Sequence, residues 1–186
     1  MCSPADPAVW ANTFALVAYI PDELGRFLNS LRCELVPRCT FASHVTVLPP
    51  RPLQGSVECA VRQIRARLRD ARPFTISMET VEIFPRTSVL YLEVGEGREE
   101  LIRLHEELNQ GVLGFDEPFP FHPHVTLAQD FPVERLEELH RLAQQRWRQF
   151  GGGSFLLDSF TFVRRRVDNN WSNLAECALE QVPVGR

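Results

Sequence analysis

The 186-residue chain contains no lysine, so all 20 of its basic residues are arginine. That absence excludes a lysine nucleophile, a Schiff base and a phosphate-loop lysine. The five cysteines, Cys2, Cys33, Cys39, Cys59 and Cys177, include no C-x-x-C pair. A structural zinc site or a disulfide framework is therefore not expected. The odd, scattered set suits a reduced, cytoplasmic chain, with Cys33 and Cys39 read as small apolar fillers. No apolar run approaches the ~20 residues of a membrane span, so no membrane partner is expected. The first seven residues lack the basic start and apolar stretch of a secretory signal. Residues 1–11 are expected to form a flexible tail. Net charge is only −4, which argues against coating long duplex nucleic acid by charge alone. Arginine still offers bidentate contacts to individual phosphates.

The length fits one domain with a substantial core, spanning residues 12–186, and a monomer is expected. Patterning predicts strands over 13–19, 42–48, 74–84, 89–94, 122–129, 154–165 and 171–181. Helices are expected after Pro21-Asp22-Glu23 and over 56–70, 98–110 and 133–150, the last ended by Gly151-Gly152-Gly153. The order is β-α-β-α-β twice, with one further strand. Asp22-Glu23-Leu24-Gly25-Arg26-Phe27 aligns with Glu99-Glu100-Leu101-Ile102-Arg103-Leu104. The chain therefore reads as an internal duplication, with pseudo-repeats at about 12–84 and 88–165 whose lobes exchange strands. The expected fold is α+β and bilobal. Two antiparallel sheets face each other across a central cleft, and helices cover the outer faces.

One string occurs in both halves. Ser43-His44-Val45-Thr46-Val47-Leu48 and Pro123-His124-Val125-Thr126-Leu127-Ala128 each hold His-x-Thr in an apolar run. Chance alone gives roughly 0.2 such pairs in a chain of this composition, so two copies with the same central valine stand out. In a strand, positions i and i+2 share a face. Each copy thus presents an imidazole and a hydroxyl on one side and sends Val45, Val47, Val125 and Leu127 to the other. A pseudo-two-fold relation would set His44 and His124 across the shared cleft. In-line cleavage of a phosphodiester needs a base on one side of phosphorus and an acid on the other. Two imidazoles supply both near neutral pH. Thr46 and Thr126 are placed to donate hydrogen bonds to the non-bridging oxygens, where charge builds.

With His44-Val45-Thr46 and His124-Val125-Thr126, their spacing and the duplicated order of elements, residues 12–182 resemble the 2H phosphoesterase superfamily, the 2′-5′ RNA ligase-like and cyclic phosphodiesterase proteins. The resemblance implies metal-independent, cofactor-free hydrolysis of 2′,3′-cyclic phosphate RNA ends or cyclic nucleotides, with reverse 2′-5′ ligation in some members. It carries His44, Thr46, His124 and Thr126 over as catalytic residues. The expected partner is a small nucleotide or an RNA end. The alternative reading is a nucleotide- or RNA-end-binding module with little or no chemistry.

Further candidates for substrate contact are Arg51, just past the first motif, and Phe41, Phe121 and Trp171, aromatic residues flanking the groove. His122 shares a face with His124. A His-x-His pair also suggests a metal site, but no third ligand stands at a telling spacing, and no metal is expected. His105, at the repeat position of Leu28, reads as a packed structural histidine. Of Arg164-Arg165-Arg166, the outer two share one face of a strand.

Overall fold

The computed structural model describes residues 10–37, 39 and 42–180. Eight strands and four α-helices follow one another along the chain. They are β1 (Trp10–Tyr19), α1 (Asp22–Leu35), β2 (His44–Arg51), α2 (Val57–Arg67), β3 (Phe74–Phe84), β4 (Val89–Val94), α3 (Arg98–Leu108), β5 (His124–Ala128), α4 (Leu136–Phe150), β6 (Gly153–Leu157), β7 (Ser159–Arg166) and β8 (Trp171–Ala178). They form two antiparallel four-stranded sheets. Sheet A has the order β2-β1-β7-β8 and sheet B the order β5-β4-β3-β6. No helix of the described residues is long and apolar enough to cross a membrane.

Local chemistry sets the element ends. Asp22 and Glu23 place carboxylates in the first turn of α1, where the helix dipole favours them. Ser56 caps α2, its side chain accepting from Cys59 N at 3.2 Å. Gly151, with φ +90°, ends α4 in the left-handed conformation that glycine adopts without strain. Gly25 is required by close approach instead, since a Cβ there would lie 2.0 Å from the Ile20 carbonyl oxygen.

β1 is internal to its sheet and is buried from Phe14 to Ala18. Phe14, Leu16 and Ala18 turn to the main core, while Ala15 and Val17 join Val163 in a small separate cluster on the other side. The helices cross between halves. α1, from the first half, packs on β5, β6 and α4, whereas α3, from the second, packs on β2 and α2. β2 and β5 are the edge strands of their sheets and lie side by side. One helix clasps each of these edges. Arg32 of α1 donates from Nη1 to Thr126 O at 2.7 Å, and His105 of α3 donates from Nδ1 to Val47 O at 2.7 Å. Val45, Val47 and Val125 are fully buried beneath this layer and Leu127 nearly so.

Several boundaries shift from the sequence expectation; β2, expected over 42–48, runs on through Pro49 and Pro50 to Arg51, and two other differences change the topology or the chain start. The strand expected over 154–165 is two strands in different sheets, with β6 pairing with β3 and β7 with β1. The alternation itself slips there. Phe155 and Leu157 are buried in β6, then Phe160 and Phe162 in β7, so the buried parity changes across Asp158-Ser159. The chain thus leaves sheet B and enters sheet A at Asp158. β1 also starts at Trp10, so Trp10 and Ala11 belong to the strand rather than to the expected tail. The rest of that tail lies outside the described residues.

Candidate active site

On β2 and β5 the motif residues alternate as the pleat requires. His44, Thr46, His124 and Thr126 are half-buried, while the residues between them are fully buried. The rest of each cleft face follows from cross-strand pairing. Tyr19 and Val17 of β1 stand opposite His44 and Thr46. Tyr91 and Glu93 of β4 stand opposite Thr126 and His124.

The two imidazoles are held in the same way. His44 Nδ1 lies 2.7 Å from Ala42 O and His124 Nδ1 lies 2.7 Å from His122 O, each the carbonyl two residues upstream. A carbonyl only accepts, so Nδ1 carries the proton and Nε2 is left to exchange one in both rings. Each ring also meets aromatic edges or faces. Tyr19 stands edge-on to His44 at 6.2 Å. Phe84 and Tyr91, stacked on each other at 3.9 Å, both lie edge-on to His124, at 4.9 and 5.5 Å.

Burial pushes both imidazole pKa values below the ordinary histidine range, because charge is costly in a desolvated ring. Around that shared cause the surroundings differ. For His44 the bond to Ala42 pulls the value back up, while the positive Arg32 guanidinium and His124 push it further down. For His124 the bond to the His122 carbonyl raises it, the His122 ring lowers it and the Glu93 carboxylate raises it. Both histidines thus feel a neighbouring basic group, Arg32 for His44 and His122 for His124, and only His124 has a carboxylate set against it.

Glu93 also organises its surroundings. His122 Nε2 lies 2.8 Å from Glu93 Oε2, and Arg98 at the start of α3 pairs with the other carboxylate oxygen. Sequence patterning did not single out Glu93, Arg32, Tyr19 or Tyr91. Each reaches the site through strand pairing or helix packing between distant segments, for which no local motif exists.

The remaining candidates separate clearly. His122 lies beside His124 on the cleft face, held by Glu93. No group of three or more His, Cys, Asp or Glu that could hold a metal ion occurs among the described residues. Trp171 packs on the Ala15, Val17 and Val163 cluster, on the side of sheet A that carries Thr46. Arg51 is a correction. It pairs with Phe14 on the core side of the sheet and is 3% exposed. Its guanidinium donates to Pro49 O at 2.8 Å, Asn109 Oδ1 at 2.6 Å and Leu113 O at 3.2 Å, and pairs with Glu117. It pins the 109–117 loop to β2 and presents nothing to the cleft. Phe121, half-buried, stacks on the buried His105 at 3.9 Å and packs against the main core. Phe41 lies outside the described residues.

Comparison with known proteins agrees with this geometry. The profile of the 2′-5′ RNA ligase superfamily matches residues 20–169. A Geobacillus kaustophilus protein, provisionally named as a phosphoesterase, is 27% identical over 128 residues, covering 64% of this chain and 70% of its own. A Geobacillus thermodenitrificans protein named in the same way is 27% identical over 155 residues, covering 78% and 84%. Among solved structures, Escherichia coli LigT complexed with 3′-AMP superposes with a TM-score of 0.62 at 21% identity, over 91% of this chain and 99% of that one. At that identity the likeness speaks for the fold.

Proposed function

Because the chain belongs to the 2′-5′ RNA ligase superfamily, we propose that it is a phosphodiesterase acting on 2′,3′-cyclic phosphate RNA ends or cyclic nucleotides. The observation that carries this reading is the matched pair of imidazoles. Both rings have Nδ1 tied to a backbone carbonyl, which leaves Nε2 for proton exchange. One ring takes a proton from the attacking water and the other gives one to the departing ribose oxygen. The Thr46 and Thr126 hydroxyls, each beside its histidine, donate to the non-bridging oxygens as negative charge grows there. Neither proton transfer calls for a metal ion. LigT has been crystallised with 3′-AMP, with ATP and with phosphate, which supports a nucleotide-sized substrate for this cleft as well.

Incubation with 2′,3′-cyclic nucleotides in EDTA tests the proposal. Turnover that persists in EDTA and falls by at least about 10²-fold in His44→Gln is expected. Turnover that requires added metal, or that is undiminished in His44→Gln, overturns the mechanism. Tight nucleotide binding without product after long incubation would assign the cleft to recognition alone.

A further inference from the structure

We propose that the cleft face of sheet A carries a second subsite, built from Trp171 and Arg165, for the nucleotide preceding the reacting one at an RNA end. The inference rests on the phosphodiesterase reading and narrows its substrate from a mononucleotide to an oligonucleotide end.

The three consecutive arginines of β7 are not equivalent. Arg164 donates from Nε to Ala11 O at 3.1 Å and lies over Trp10 and Phe14. Arg166 reaches Asp168 at 3.5 Å and lies over Trp10. Arg165, between them, points to the opposite side of the sheet. It pairs across the strands with Trp171, two residues along from the pairing of Val163 with Asn173. Its Nε is buried and has no hydrogen-bond partner, and Arg165 forms no ion pair among the described residues. Buried polar groups are almost always paired. Nε itself is shut off from solvent, but the side chain as a whole is only half-buried, and a guanidinium with no protein acceptor among the described residues, on a face that lines a cleft, is a position a ligand phosphate would complete through its outer nitrogens.

The surface beside it fits a base. Ala15, Val17 and Val163 form a small apolar floor, and the half-buried Trp171 packs on it. An indole beside an arginine fork is the combination that stacks a base and holds a phosphate in single-stranded nucleic acid.

The subsite connects to the histidine pair through Tyr19. The Tyr19 ring lies edge-on to His44, and its hydroxyl donates to Asn173 Oδ1 at 2.8 Å. Asn173 and Trp171 alternate onto the same face of β8. Tyr19 and Asn173 also border a cavity of about 810 Å³ whose lining includes the acidic residues Asp22, Glu23, Asp158 and Glu176, which is unsuited to a polyanion. A chain of phosphates is therefore steered toward Arg165.

The test compares kcat/KM in EDTA for a 2′,3′-cyclic mononucleotide and for a trinucleotide ending in a 2′,3′-cyclic phosphate. The wild type is expected to prefer the trinucleotide by about tenfold, since a stacked base contributes about that order. Arg165→Gln and Trp171→Ala should each reduce this preference about tenfold, and Arg165→Lys should restore part of it. The log–log salt slope for the trinucleotide should fall by about 0.7 in Arg165→Gln, as expected for one lost phosphate contact on a single strand. An unchanged preference in folded Arg165→Gln and Trp171→Ala would overturn the subsite. If neither substrate is turned over, the catalytic reading fails by itself. Fluorescence anisotropy with a labelled 3′-phosphorylated trinucleotide then decides the subsite, with weaker binding by Arg165→Gln supporting it and equal binding overturning it.

Discussion

Arg32 of α1 reaches across the seam between the two halves and donates to the main-chain oxygen of Thr126, the hydroxyl-bearing residue of the second motif, at 2.7 Å. It is 6% exposed, and its charge also acts on His44 in the first motif. One side chain thus touches the frame of one half-site and the electrostatics of the other. Arg32→Met should leave the Thr126 carbonyl without this donor and cost about 1–3 kcal/mol of stability, read by urea denaturation. It should also move the His44 titration to higher pH in NMR, because a positive neighbour has been removed.

His44→Gln and His124→Gln should each lower kcat by about 10²–10⁴ while preserving the circular dichroism spectrum and the melting temperature to within a few degrees. The double variant should be little worse than either single one, since the two groups act as a unit. Steady-state kinetics on a cyclic nucleotide checks both statements.

Both imidazoles titrate below their ordinary value in the folded chain. Between that depressed value and about 6.5 the unfolded chain binds more protons than the folded one, so stability rises with pH through this window. The contribution is complete above about pH 6.5 and is lost as pH falls toward the folded-state values. Each unit of depression is worth about 1.4 kcal/mol. Denaturation midpoints between about pH 5 and 7 should show this slope, and His44→Phe/His124→Phe should flatten it.

Glu93 faces His124 across β4 and β5 and raises its pKa. In Glu93→Gln the His124 titration should move further down, and His122 should lose its 2.8 Å partner. Two-dimensional NMR of the ring protons reads both changes. A His124 titration that stays in place or rises would contradict the arrangement.

Arg51→Met separates a structural from a binding role. Breaking a buried ion pair by removing one partner leaves the Glu117 carboxylate with only the His105 ring beside it, at 3.5 Å, and costs about 3–5 kcal/mol. The expected result is a large loss of stability. KM for a cyclic nucleotide, measured well below the new melting temperature, should stay near the wild-type value. A large KM increase without loss of stability would return Arg51 to the cleft.

Much of this architecture is legible in the sequence. Period-two alternation placed His44 and Thr46 on one face and Val45 and Val47 on the other, because neighbouring side chains in a strand must point to opposite sides. The duplicated motif and the repeated order of elements implied two lobes meeting at His44 and His124. Even the sheet change at Asp158 had a trace, in the shift from Phe155 and Leu157 to Phe160 and Phe162. The sequence alone could not tell Arg51 from Arg165. Both are arginines near the ends of strands, and a pattern of residue types does not say which face of a sheet will meet a core and which a cleft. Only the packed structure decided that Arg51 turns toward Glu117 while Arg165 shares the cleft face with its cross-strand partner Trp171. It likewise brought Glu93 to His122 and Arg32 to Thr126. Those pairings join segments 29 and 94 residues apart, and such contacts are selected by the shape and charge of the assembled interior rather than by neighbours along the chain.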